Sequence, residues 1–131
     1  MMITATARIG REQYKTEVSI ANHTLIADEM KGTDLGPEPP QFLQVALASC
    51  TAITLRMYAN HKNLPLEKIK VDVTMEKLEW KTLFKREIEL TGELTPEQRN
   101  RLLEIANACP VHKTLMTPIE IDTHLSVAAA N

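Results

Sequence analysis

The chain has 131 residues, of which 44% are apolar and 24% are charged, as in one ordinary globular domain. Its net charge of -2 and its interspersed charges, as in Lys85-Arg86-Glu87, predict solvated surface and disfavour a nucleic-acid binder. No uninterrupted apolar run reaches the roughly 18 residues of a membrane span, and no signal-peptide pattern opens the sequence. We therefore expect a cytoplasmic protein without a membrane partner.

The N-terminal third predicts a small antiparallel sheet. Residues 3–9 and 14–20 alternate polar and apolar side chains, and the turn at 10–13 joins them as a hairpin. Residues 24–27 predict a third short strand. Residues 28–40 contain three prolines and two glycines, which break regular structure.

A long helix is predicted from Gln41 to about His61. Residues 42–53 within it have almost no polar face, which indicates burial on most sides. In so small a chain, the chain's own sheet and a partner subunit together would supply that cover.

Two more strands follow, at residues 68–78 and 85–94, where apolar and polar side chains alternate again. The link between them is predicted to be a hairpin loop.

A second helix is predicted after the strands. Thr95 can cap it, Pro96 suits its first position, and Gln98 completes a capping box. It must end near Ala108, because Pro110 disfavours helical geometry at the residue before it. A last alternating segment, residues 119–125, predicts a final strand, and the whole order is that of an α+β fold.

The two cysteines, Cys50 and Cys109, are the main candidates for chemistry. They are inert core thiols, reactive thiols or part of a metal site, since cytosolic proteins rarely keep a structural disulfide. Cys50 lies in the apolar part of the long helix, where a buried inert thiol is the usual case. Cys109 lies at the predicted end of the second helix, where the helix dipole raises a thiol's pKa and suits a resolving role.

Two further residues have functional alternatives to a plain surface role. Cys109 and His112 have a spacing that could supply two metal ligands, but no second ligand pair is visible, so neither a metal nor another cofactor is predicted. Arg11, in the first hairpin turn, is either a solvated cation or a guanidinium brought near a buried thiol, where it would favour the thiolate.

Two segments resemble the cysteine motifs of the OsmC/Ohr family, and of its small OsmC-like branch in particular. The first contains Asp28-Glu29, Gly36-Pro37 and the helix around Ser49-Cys50-Thr51. The second is Cys109-Pro110-Val111-His112-Lys113. The resemblance covers nearly the whole chain and implies one domain over residues 1–131, with two helices packed against β-sheets in an intertwined homodimer.

The resemblance also implies an activity, the reduction of organic hydroperoxides by thiols. It makes Cys50 the peroxidatic thiol, Cys109 the resolving thiol and Arg11 the active-site arginine, with Arg8 as the fallback. An external dithiol would regenerate the enzyme. The glutamate that peroxidase members carry ten residues before the first cysteine is here Pro40, followed by Gln41, with Glu38 nearby.

Two other functions stay open beside the peroxidase. One is a non-catalytic OsmC-fold protein whose pocket binds a small apolar ligand. The other is a metal-dependent enzyme that uses the cysteines as ligands.

Overall fold

The structure, a computed structural model, describes residues 2–128 and has the predicted α+β architecture. The described residues form two antiparallel sheets and three helices, one helix more than expected. The elements are β1 (Ala5–Arg8), β2 (Thr16–Ile20), β3 (His23–Ala27), α1 (Gln41–His61), β4 (Leu66–Lys77), β5 (Thr82–Gly92), α2 (Pro96–Ala106) and α3 (Pro110–Met116).

The first sheet has the order β1-β2-β3 and is antiparallel throughout. The first two strands are shorter than predicted, because the connecting loop takes up residues 9–15. Among the described residues, none from this sheet belongs to the main hydrophobic core. The sheet therefore lies outside the main core, although Ala27 at its β3 edge is buried.

Helix α1 begins and ends where the sequence predicts. Leu47, Thr51, Leu55 and Ala59 recur every fourth residue and are buried. On another face Val45, Ile53 and Met57 are 54%, 59% and 67% exposed. By length and composition α1 could cross a membrane, but core helices of water-soluble proteins meet the same criteria. Only 22% of the most apolar 18-residue stretch of α1 is buried within the chain. One face of α1 is thus left for another surface to cover.

The main core lies between α1, the β4–β5 hairpin and α2. Its buried residues are Leu55, Ala59, Leu66, Leu102 and Ala106. Gly92, the last residue of β5, has a φ of +147°, and a side chain there would overlap the carbonyl oxygen of Pro65. Only glycine fits that close backbone approach without strain.

Helix α2 has the predicted start. The Gln98 N–H donates to Thr95 Oγ1 at 3.1 Å, and the Thr95 N–H donates to Gln98 Oε1 at 2.9 Å, which is a complete capping box. The helix ends at Ala106, two residues before the expected position.

Helix α3 was not predicted from the sequence. Cys109 adopts an extended conformation (φ -61, ψ 135) as its N-cap residue, and Pro110 occupies the first helical turn. The proline that ends one helical segment therefore also begins the next, which is a favoured position for proline.

The predicted strand over residues 119–125 is wrong for the single chain. These residues form no strand, and Ile119, Ile121 and Leu125 are 66%, 83% and 95% exposed. A strand needs a neighbouring strand for its backbone hydrogen bonds, and within residues 2–128 none lies beside this segment. Apolar and polar residues do alternate in this segment, but within residues 2–128 its apolar side chains have no surface to pack against.

The loop between β3 and α1 is organised by the buried carboxylate of Asp28. It accepts hydrogen bonds from the Thr33 hydroxyl at 2.5 Å, the Glu29 N–H at 2.7 Å and the Leu35 N–H at 3.0 Å. The bond from Thr33, followed by that from Leu35, lowers the pKa of Asp28 from 3.8 to about 2.

Asp28 predicts a defined acid dependence of stability. Since its pKa is lower in the folded state, its contribution is complete above pH 3.8 and is lost as the pH falls toward about 2. We expect Asp28→Asn to lower stability near neutral pH and to flatten this acid slope, measured as urea midpoints between neutral pH and pH 2. The control is Asp34→Asn, the same change at an exposed residue of the same loop. Equal slopes in wild type and Asp28→Asn would contradict the prediction.

Candidate active site

Cys50 and Cys109, which lie far apart in the sequence, meet where α1 packs against α3. Both are free thiols; Cys50 is half-buried, and Cys109 is fully buried at 0% exposure. The two thiols lie close enough for each to shift the pKa of the other. The fold therefore brings together the two predicted cysteines.

The Cys109 sulfur is surrounded by hydrogen-bond donors. Burial alone raises its pKa, but the hydrogen bonds from the Cys50 thiol and from the His112 and Val111 N–H groups bring that pKa below its ordinary value of 9.0. The His112 N–H donates to Cys109 Sγ at 3.4 Å. The expectation that a helix C-terminus raises the pKa of Cys109 is wrong, because this residue is also the N-cap of α3.

Cys50 has the opposite environment. Burial raises the pKa of the Cys50 thiol, and its contact with Cys109 raises it further, against hydrogen bonds from the Val111 backbone and Thr54.

Arg86 on β5 provides the positive charge next to this pair. Its Nη1 donates to Thr51 Oγ1 at 3.1 Å and to the Ala106 carbonyl at 3.3 Å, and its Nη2 donates to Asn107 Oδ1 at 2.8 Å. Among residues 2–128, no carboxylate lies within ion-pair distance of this half-buried guanidinium. A half-buried cation without a carboxylate favours negative charge on the groups around it.

His112 completes the polar cluster. Arg86 Nη2 lies 3.2 Å from His112 Nδ1, and since a guanidinium can only donate, Nδ1 is the acceptor and Nε2 carries the proton. Burial and the charge of Arg86 both lower the pKa of His112, so this imidazole is neutral near neutral pH. The cluster thus contributes one positive charge, on Arg86.

Sequence reasoning missed Arg86, which it assigned to solvated surface. The signal was present, because Ile88 and Leu90 mark the inward face of β5, and counting back by two from Ile88 reaches Arg86. Its neighbours Lys85 and Glu87 do lie on the exposed face.

The single chain does not bring Arg11 to the thiols. Arg11 lies in the exposed loop after β1, and within the described part of the chain it makes no hydrogen bond or ion pair. The fallback residue, Arg8, is exposed on β1. Within the described residues Glu38 forms no ion pair with Arg11, and its proximity raises the pKa of the Glu29 carboxyl instead.

A cavity of about 1030 Å³ opens beside the Arg86–His112 cluster. Its polar lining residues are Lys77, Thr82, Arg86, Asn107 and His112, and none of its lining residues is acidic. Its walls are mostly apolar, from Leu43, Leu47, Phe84, Ile88, Leu103 and Leu115. Pro40, at the position of the family glutamate, also lines this cavity.

Across residues 2–128, the His, Cys, Asp and Glu side chains form no group of three or more that could hold a metal ion. Cys109 and His112 do lie together, but the contact is made by the His112 backbone, and the His112 ring nitrogen Nδ1 faces Arg86.

Comparison with solved structures shows the fold. An OsmC-like protein from Mycoplasma pneumoniae superposes with a TM-score of 0.77 at 18% identity, covering 88% of this chain and 87% of that one. An organic hydroperoxide resistance protein OsmC from Legionella pneumophila gives 0.62 at 22% identity, covering 88% and 90%. The organic hydroperoxide resistance protein OhrB of Bacillus subtilis gives 0.59 at 22% identity, covering 88% and 91%.

Sequence comparison identifies the family directly. No significant similarity to a curated protein was found. The family model described as OsmC-like protein, however, matches residues 32–124, a stretch that includes both cysteines, Arg86 and the lining of the cavity. The chain therefore belongs to the family of OsmC-like proteins.

Proposed function

We propose that the protein is a thiol-dependent peroxidase that reduces organic hydroperoxides. The observation that carries the proposal is that Cys50 and Cys109 come together next to His112, whose N–H donates to Cys109 Sγ and which lines a largely apolar cavity. Two fold neighbours are named for organic hydroperoxide resistance, which supports the same class of substrate. Apolar walls suit an alkyl hydroperoxide better than hydrogen peroxide.

The proposed reaction proceeds in two steps on the thiol pair. Cys50 attacks the terminal peroxide oxygen, the O–O bond breaks, and the alcohol leaves, so that Cys50 becomes a sulfenic acid. The Cys109 sulfur then attacks the Cys50 sulfur and releases water, which forms a Cys50–Cys109 disulfide. An external dithiol reduces this disulfide and is itself oxidised.

We also propose that the working form is a homodimer. The exposed apolar face of α1, the sheet outside the core and the unpaired segment at residues 119–125 all lack a partner within the described chain. A second copy would cover them together. In such a dimer the exposed loop of Arg11 is free to approach the thiols of the other chain, where its charge would favour a Cys50 thiolate and polarise the peroxide.

A second candidate function is the binding of a small apolar ligand without catalysis. The cavity itself favours it, together with Pro40 in place of the family glutamate and the exposure of Arg11, which is not among the groups that affect either thiol within one chain. In this case the cysteines would be inert.

Intact mass spectrometry distinguishes the two functions. The reduced protein is treated with a stoichiometric amount of cumene hydroperoxide, beside Cys50→Ser and Cys109→Ser. We expect the wild type to lose two hydrogen atoms, Cys109→Ser to gain one or more oxygen atoms and Cys50→Ser to do neither. Unchanged masses in all three proteins would reject the peroxidase and leave ligand binding.

A further inference from the structure

The face of the β4–β5 hairpin that lines the cavity is polar at both ends and apolar between them. Lys77 and Thr82 lie opposite each other next to the turn, and Met75 and Phe84 are the next pair on the same face. Arg86 follows two residues after Phe84. All five residues line the cavity. Lys77 and Thr82 are exposed, whereas the other three are half-buried, so the Lys77–Thr82 end is the one nearer to solvent.

The two cations on this face differ in what they already bind. The four Nη hydrogens of Arg86 are donated to acceptors of the same chain, which leaves only its Nε–H. Within residues 2–128, Lys77 forms no ion pair, and neither its ammonium nor the Thr82 hydroxyl makes a hydrogen bond. The donors that remain for a ligand are therefore those of Lys77 and Thr82.

The charge of the lining favours an anionic ligand. None of the lining residues is acidic, and the two carboxylates nearest to Lys77 in sequence, Glu76 and Glu79, are not among them. A carboxylate has two acceptor oxygens, which match one ammonium and one hydroxyl as donors. A neutral ligand of the same shape would gain little from either group.

We propose that Lys77 and Thr82 bind the carboxylate of the substrate, so that the enzyme prefers hydroperoxides in which an apolar spacer joins the peroxide to a carboxylate. The inference rests on the proposed function and makes Lys77 a specificity-determining residue. In this arrangement the spacer packs on Met75 and Phe84, the apolar pair between the two polar ends.

The spacing along the strand sets the length of that spacer. Arg86 lies opposite Val73, four residues before Lys77, which corresponds to about 14 Å at the rise of an antiparallel strand. At the Arg86 end the cavity reaches His112, whose N–H donates to Cys109 Sγ at 3.4 Å. The peroxide therefore belongs at this end and the carboxylate at the other.

Binding without peroxide tests the carboxylate site by itself. Decanoate and decanol, which differ only in the head group, are titrated into the reduced protein in a calorimeter. We expect wild type to bind decanoate more tightly, and Lys77→Gln to lower the affinity for decanoate roughly fivefold, the upper end for an exposed ion pair. Lys85→Gln is the matched control, because Lys85 is exposed on the opposite face of the same hairpin and does not line the cavity. Equal affinities for the two ligands in wild type, or equal losses in the two variants, would overturn the inference.

The contribution of Thr82 is measured in the same titration. Thr82→Val keeps the shape of the side chain and removes its hydroxyl, so it is expected to weaken decanoate binding by a smaller factor than Lys77→Gln does. A Thr82→Val variant that binds decanoate as tightly as wild type would remove Thr82 from the site.

Turnover connects the site to the proposed reaction. The values of kcat/KM are compared for ω-hydroperoxydodecanoate and its methyl ester, which carry the same peroxide with and without the charge. We expect wild type to prefer the acid roughly fivefold, Lys77→Gln to bring the ratio close to one, and Lys85→Gln to keep it. Equal values for acid and ester in wild type would overturn the inference. A wild type that reduces neither compound would reject the peroxidase, and the calorimetric test would still decide the carboxylate site.

Discussion

Replacing Ile53 with aspartate is expected to halve the molar mass of the protein in solution. A homodimer has about twice the 14.7 kDa of the chain, and the variant is expected at the mass of one chain. Ile53 is 59% exposed within the chain, on the face of α1 shared with Val45 and Met57. In the proposed dimer that face is covered, and burying an unpaired carboxylate costs several kcal/mol, of which each ~1.4 kcal/mol weakens association tenfold.

Light scattering after size exclusion measures this mass. Asn100→Asp is the control, because it adds the same carboxylate at an exposed position of α2, outside the apolar face. We expect it to keep the mass of two chains. A wild type that elutes as one chain, or an Ile53→Asp variant that keeps the larger mass, would contradict the proposed dimer.

Replacing Leu102 with alanine is expected to lower the free energy of unfolding by about 3 kcal/mol, within the range for buried leucines. Leu102 is 0% exposed and packs from α2 into the cluster of Leu55, Ala59 and Leu66. The loss has two sources, the apolar surface no longer buried and the cavity left where neighbours do not close in.

The neighbouring residue provides a control for this measurement. Leu103 is 61% exposed, so Leu103→Ala is expected to change the free energy of unfolding by no more than about 0.5 kcal/mol. Both variants are compared with wild type by urea unfolding at one protein concentration, since oligomerisation shifts apparent stability. Equal losses in the two variants would show that the core is not centred on Leu102.

The elements predicted best are those whose signals are local. The long apolar helix has the predicted limits, and α2 begins with the predicted capping box at Thr95 and Gln98. Helix α3 was missed because Pro110 was interpreted only as a stop signal, although proline also favours the first turn of a helix. Residues 119–125 show the opposite error, since alternation describes a side-chain pattern and does not supply a neighbouring strand.

The site was predicted in part for the same reason. Cys50 and Cys109 stand out by residue type, and the family resemblance pairs them, but no local rule gives the hydrogen bond from the His112 N–H to the Cys109 sulfur. That bond depends on α3, whose N-cap is Cys109. Arg86 was missed for a different reason, since the prediction placed it at the surface from the charges of Lys85, Arg86 and Glu87 alone.

Because Arg86 lies on β5, the length of a surface turn determines which side chain faces the site. Arg86 faces inward because it lies opposite Val73 in the β4–β5 ladder, a register fixed by the tight turn at residues 78–81. Side chains of a strand point alternately to its two faces. If one residue were added to or deleted from that turn, and the β4–β5 pairing shifted by one position, Lys85 or Glu87 would point inward instead. Glu87 would set a carboxylate where the guanidinium now contacts Thr51 and His112, and would reverse the sign of the charge there. The number of residues in this turn, odd or even, therefore determines the sign of the charge that faces the site, although the turn itself lies away from both cysteines.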